Sequence, residues 1–236
     1  MMFKWNTLLV VLVALAGCGP SEKDKAMYAE QQRLHCLDNL CDGDVLPKLQ
    51  DHLKEITLKL NGQWFIGPRE YVGAGRVVSF DWWDHKPISS RMARPAELQA
   101  LSVAGKGYDV SIEIFLQTQK APLPPLSGYD RLKQAEAEGR LISKEKPRSG
   151  LEIWRVKPKD GLRPGIWYVA TDLKGFDGQP PVVWCDEHNS QFDRCSTGGL
   201  WRDGVTWDTR FRAKHGPDWP EIFQETTRVL QLIKKA

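Results

Sequence analysis

Apolar positions near the end of the chain recur at three and four residues. Trp219, Ile222, Phe223, Thr226, Val229, Leu230 and Ile233 fall on one side of a helical projection. Asp218 and Glu221 fit a capping pair at its start, and Lys234 and Lys235 complement the dipole at its end. Upstream the pattern changes period. ITLKL (56–60) places Ile56, Leu58 and Leu60 on one face. Asn61-Gly62 is a strong hairpin signal and QWFIG follows it directly. RVVSFDWW (76–83) is β-branched and aromatic. In YDVSIEIFLQT (108–118), Val110, Ile112, Ile114 and Leu116 alternate with Ser111, Glu113, Phe115 and Gln117, as in a strand with one wet face. LEIWRV (151–156), GIWYVATDL (165–173) and PVVWC (181–185) extend the strand set, and Asp203-Gly204 marks a second hairpin within 199–211.

Two further helical stretches frame this set. Residues 27–40 place Met27, Leu34, Leu37 and Leu40 at helix-compatible spacing, and 129–138 carries good helix formers stopped by Gly139. DGDVLP (42–47) breaks the chain, and 48–55 reads as a short helix or a lead into the first strand. The predicted class is α+β: a mainly antiparallel β-sheet with hairpins, flanked by N-terminal and C-terminal helices. The 129–138 and C-terminal helices are expected to cover one face.

The first residues set an address. One Lys precedes an apolar run over 8–16, which is shorter than the ~20 residues that span a bilayer. Leu15-Ala16-Gly17-Cys18 resembles the lipobox of bacterial lipoproteins. That resemblance implies removal of a 1–17 signal peptide and lipidation of Cys18, palmitate included, with 18–26 as a polar tether. Gly19 stands where an inner-membrane retention Asp would be, so the implied location is the periplasmic face of the outer membrane. Residues 27–236 are read as a single globular domain.

Composition adds bounds. The chain has 236 residues, a net charge of +3 and 41% hydrophobic residues, which excludes a disordered or polytopic membrane chain. The charge is too near neutral to indicate nucleic-acid binding. Ten Trp call for a substantial core or a binding surface. Cys36, Cys41, Cys185 and Cys195 are an even set in an exported chain, which points to disulfides. Local pairing, Cys36–Cys41 and Cys185–Cys195, is favoured over the other two connectivities. The first bond requires the helix to break near Asp38-Asn39. The spacings fit structural zinc poorly.

Candidate chemistry is sparse. There is no G-x-S-x-G, no H-E-x-x-H and no phosphate-binding glycine signature, and no cofactor or metal is implied. Asp186, Glu187 and His188 follow Cys185. On a strand, Asp186 and His188 would share a face, which could begin a metal site or an acid/base pair, but a polar hairpin tip beside a disulfide explains the same residues and is the favoured reading. Trp82, Trp83, Asp84 and His85 form a second cluster. On a strand the two indoles point to opposite faces, leaving one nearer solvent as an interaction anchor or packed under the Pro-rich 119–127 loop.

Several segments carry a family likeness: ITLKLNGQWFIGPREYV, FDWWDHKP, WYVATDLKGFDGQPPVVWCD, RCSTGGLWRDGVTWDTRF and DWPEIFQETTRVLQLIKK. With the lipobox, they resemble lipoproteins that serve as immunity partners of antibacterial type VI secretion effectors, particularly phospholipases. The resemblance implies a non-enzymatic, membrane-anchored inhibitor that binds a cognate effector toxin. It supplies no catalytic residues. An envelope ligand-binding or assembly lipoprotein is the alternative. Binding is expected on the wetter sheet face or on the loops around 82–86, 119–127 and 186–194.

Overall fold

Both hairpin signals fold as written, and they fold against each other. The computed structural model describes residues 21–73, 76–103, 111–119, 127–159, 165–187 and 193–236. Strands β1 (Glu55–Leu60) and β2 (Gln63–Pro68) join through Asn61 and Gly62, both at positive φ. Strands β9 (Arg194–Arg202) and β10 (Val205–Arg212) join through Asp203 and Gly204, also at positive φ. Two such residues in succession give the turn whose twist suits a tight hairpin. The Asn61 side-chain amide donates to the Asp203 carbonyl at 2.8 Å. A Cβ on Gly204 would sit 2.4 Å from that amide nitrogen, so a side chain there would displace the Asn61 amide from this bond.

The remaining strands are β3 (Val77–Asp81), β4 (Ser111–Thr118), β5 (Leu141–Arg148), β6 (Leu151–Val156), β7 (Ile166–Ala170), β8 (Val182–Cys185) and β11 (Lys234–Lys235). They form an eight-stranded antiparallel sheet in the order β3-β4-β10-β9-β8-β7-β6-β5 and a three-stranded sheet β1-β2-β11. Helices are α1 (Glu22–Asp38), α2 (Pro95–Val103), α3 (Gly128–Ala137) and α4 (Trp219–Gln231), with 3-10 turns at Ile88–Ala93 and Ala213–Asp218. The fold is α+β, mainly antiparallel sheet with flanking helices.

The two covering helices lie on opposite faces, not on one. The reason is that β6, β7 and β8 are apolar on both sides. Trp154, Val156, Trp167, Val169 and Val182 pack with Leu132 and Ala135 of α3. Their alternates Leu151, Tyr168, Ala170 and Val183 join the main core with Trp219, Ile222, Phe223, Val229 and Leu230 of α4. Helix α3 comes in close: a Cβ on Gly128 would meet the Val182 side chain at 2.3 Å. Toward β3 the sheet is one-sided. Ile112, Ile114, Leu116 and Thr118 of β4 are buried while Glu113 and Phe115 lie on the wetter face, as the alternation predicts.

Several local expectations change. Helix α1 starts at Glu22, not Met27, because Ser21 and Asp24 make a reciprocal capping box, so part of the 18–26 tether is helical. Met27 and Tyr28 stay exposed. The helix is tied down at its far end, where the buried Asp38 carboxylate accepts from the Thr118 hydroxyl and Gly62 donates to the Leu37 carbonyl at 2.8 Å. Asp218 and Glu221 do not cap α4. Asp218 pairs with His215 at 3.0 Å and Arg148 takes the Glu221 carboxylate. Lys234 and Lys235 are not helical but extend as β11 against Phe65 and Ile66. Strand β5 has no apolar alternation to announce it. It is a sheet edge, where Pro147 and the Lys144-Glu145-Lys146 run are tolerated and discourage further pairing.

Both disulfides follow the local pairing, Cys36–Cys41 and Cys185–Cys195. The first spans the end of α1 at Asp38. The second links β8 to β9 where those strands share just two register pairs, Trp184 with Ser196 and Cys185 with Cys195. Every other neighbouring pair in the large sheet is longer. The β8/β9 boundary is therefore a seam between two half-sheets, and a covalent bond closes its end. By loop-closure entropy, Cys185→Ser with Cys195→Ser is expected to cost about 3 kcal/mol. Urea unfolding of the oxidised parent and the double variant measures it.

Candidate functional site

Above the Cys185–Cys195 rung the seam opens. Strands β8 and β9 part around a cleft of about 270 Å³. One wall is Trp184 and Val182 of β8 with Trp167 of β7, and the other is Ser196 to Leu200 of β9. Tyr129 and Arg131 of α3 overhang it. Its floor is the aromatic cluster of the main core, where Trp207, Phe223, Phe176 and Trp219 meet at centroid distances of 5.5–5.9 Å. The sequence supplies this shape through Gly198-Gly199 on β9. A Cβ on Gly198 would meet the Trp207 carbonyl at 2.5 Å, so β9 has no side chain there to fill the gap.

The cleft is not chemically saturated. Among the described residues, the indole nitrogen of Trp167 and Nε of Arg131 are buried with no hydrogen-bond partner. The buried Trp219 indole, by contrast, donates to the Pro181 carbonyl at 2.9 Å and fixes the floor. Leu200 stands at the rim with 42% of its surface exposed. Behind it on β10, burial pushes the Asp208 carboxyl above the usual carboxylate range, partly offset by Arg210 at 3.0 Å. An aromatic-walled notch suits one large apolar or aromatic side chain.

The residues singled out from sequence are placed differently. Strand β3 ends at Asp81, so Trp82 and Trp83 stand in a turn and the alternation argument does not apply to them. His85 closes that turn at φ 58°. Trp82 packs partly on the main core and stacks on His85 at 5.1 Å. Trp83 lies under the Arg94 guanidinium at 5.3 Å. Both indoles are half-buried. Burial pushes the Asp84 carboxyl up, but bonds from Lys86 and the Arg94 charge outweigh it and hold it below the usual range. His85 Nδ1 lies 3.6 Å from the buried Glu225 carboxylate, which also binds Arg228 and holds that guanidinium's pKa above its ordinary value. The cluster is a locked corner built on the buried Asp81, which accepts from both Arg91 and Arg94.

Strand β8 stops at Cys185, so Asp186 is not on a strand. Its backbone pairs with Arg194 at 3.0 Å, and Glu187 takes an ion pair with Arg155 at 2.9 Å. His188 and Cys18 lie outside the described residues, as does the stretch 120–126 of the Pro-rich loop. Among the described residues no group of three His, Cys, Asp or Glu side chains is disposed to hold a metal ion. Of the three expected binding loops, the described 82–86 turn follows β3 and Asp186 follows β8 at one end of the large sheet, separated by intervening strands spaced about 4.8 Å apart, while Gln119 follows β4 at the other end.

No protein-family model matches the chain, and no curated protein matches it. A similar solved structure is that of Smlt3025, an immunity protein of the Stenotrophomonas maltophilia type IV secretion system. It superposes with a TM-score of 0.49 at 13% identity, covering 82% of this chain and 100% of that chain.

Proposed function

We propose that this protein is a periplasm-facing immunity lipoprotein, held in the outer membrane through Cys18, that binds and neutralises a cognate antibacterial effector toxin. The effector class we favour is a type VI secretion lipase or phospholipase, on the strength of the sequence resemblance. The observation that carries the reading is the unfilled aromatic cleft at the β8/β9 seam. At about 270 Å³ it falls just below the ~300–1,000 Å³ of typical small-ligand pockets, which favours one inserted side chain over a whole metabolite. Aromatic pockets of that kind are where partner anchors concentrate binding energy. The alternative, an envelope ligand-binding or assembly lipoprotein, would use the same cleft for a small ligand.

The test exports the effector encoded beside this protein into the periplasm of a sensitive bacterium. Survival is expected when this protein is co-exported and lost when it is retained in the cytoplasm. Death despite a folded, exported protein would overturn the reading in favour of the ligand-binding alternative.

A further inference from the structure

Exposed apolar side chains are concentrated near the start of the described chain. Leu40, Val45, Leu46 and Leu53 all lie in or beside the irregular 40–54 segment, with Val45 at 81% and Leu53 at 74% exposure. Leaving such groups in water is unfavourable, and clustered on one stretch they mark a contact surface. The segment is fixed, not loose: Lys59 and Asp44 pair at 2.5 Å, and Asp51 and Glu55 bond its backbone.

Beside it lies a groove of about 1000 Å³, and Leu53 and Leu232 contribute apolar surface to it. Lys48, Lys54, Lys234 and Lys235 line it with Arg69, against the carboxylates of Glu55 and Glu70. Lys54 reaches Asp51 at 3.6 Å, and Arg69 is spent on the His52 and Glu55 carbonyls. The groove is therefore basic with an apolar lip.

We propose that this face rests on an anionic phospholipid bilayer. The inference depends on the lipid anchor proposed above. Helix α1 of 17 residues is about 25 Å long and leads from the N-terminal end of the described chain to the 40–54 segment. Its Met27 and Tyr28 are exposed along the way. Leu53 and Leu232, on the lip of the groove, enter the headgroup boundary while the lysines meet lipid phosphates. Each basic side chain at such a surface contributes about 1 kcal/mol, so the net two positive charges left after Asp51, Glu55 and Glu70 give roughly a 30-fold preference for anionic over neutral lipid. The β8/β9 cleft then remains available for a toxin.

The mature lipidated protein is reconstituted on vesicles of phosphatidylglycerol mixed with phosphatidylcholine, and on phosphatidylcholine alone. Amide exchange is followed over 45–54 and 232–235. Exchange several-fold slower on the anionic vesicles is expected, reversed by high salt and lost in a Lys48→Glu, Lys234→Glu, Lys235→Glu variant. Equal exchange on both vesicles would overturn the proposal, as would protection of these segments by the effector and not by lipid. If Cys18 carries no lipid, the anchor reading fails separately. In that case flotation with anionic vesicles still supports the face, and no flotation overturns it.

Discussion

Asp81→Ala is expected to destabilise the protein by about 3–5 kcal/mol, the range for stranding buried opposite charge. Asp81 is fully buried, and its carboxylate accepts from Arg91 Nε at 3.0 and 3.2 Å and from Arg94 Nη2 at 3.3 Å. Both guanidiniums are largely buried themselves. Removing the carboxylate leaves Arg94 with Asp84 and Glu97 and takes from Arg91 its ion pair with Asp81. Desolvation already incurred by the two arginines then loses the Asp81 charge that offset it, and that sets the size of the effect. Asp81→Asn keeps the shape and some hydrogen bonds without the charge, so its loss should fall between parent and Ala. Chemical denaturation of the three proteins orders them. An Asp81→Ala protein within about 1 kcal/mol of the parent would mean that the arginines find solvent instead.

Trp184→Ala is expected to weaken effector binding by about 30- to 1,000-fold, the range for truncating an aromatic hot spot. Trp184 lines the cleft beside Trp167 and Val182 and is half-buried. It also packs against the α3 cluster, so part of any loss could come from the fold. Leu200→Glu separates the two effects. Leu200 stands at the rim opposite Thr206 of β10 and supports no core, so a carboxylate there should leave the melting temperature unchanged while blocking apolar entry. Titration calorimetry with the effector, alongside thermal melts, measures both. Parent-like affinity in Leu200→Glu would place the toxin elsewhere, with the wetter face of β3 and β4 the next surface to test.

Local chemistry was legible in the sequence, and long-range absence of pairing was not. Asn61-Gly62 and Asp203-Gly204 announce their turns because the two residues alone dictate the backbone. The α4 stripe announces itself because one face repeats over the whole helix. Strand β5 was hidden because an edge strand with Pro147 and a charged run looks like a loop. The Trp82-Trp83 alternation failed because the strand ends where Asp81 is seized by Arg91 and Arg94, ten and thirteen residues onward. The cleft is the hardest case. Trp167, Trp184, Gly198 and Gly199 are visible in the chain, but the seam exists because β8 and β9 pair over two rungs, a fact about register across the sheet. Two-sided apolar strands were the available clue to α3 and α4 on opposite faces: Trp167 and Val169 alternate with Tyr168 and Ala170, all buried.

The Cys185–Cys195 bond also carries a sense of timing. Cytosolic thiols are kept reduced, so a chain still waiting for export cannot have that bond. Its two half-sheets would hang together by two rungs and the aromatic floor beneath them. A notch whose walls are not yet riveted offers a partner no fixed shape, and a partner pays to order it. If the chain is exported as proposed, oxidation beyond the inner membrane would set the walls once, after delivery. Under the proposed function, the protein would become a competent binder where toxins arrive and stay a poor one where it is made.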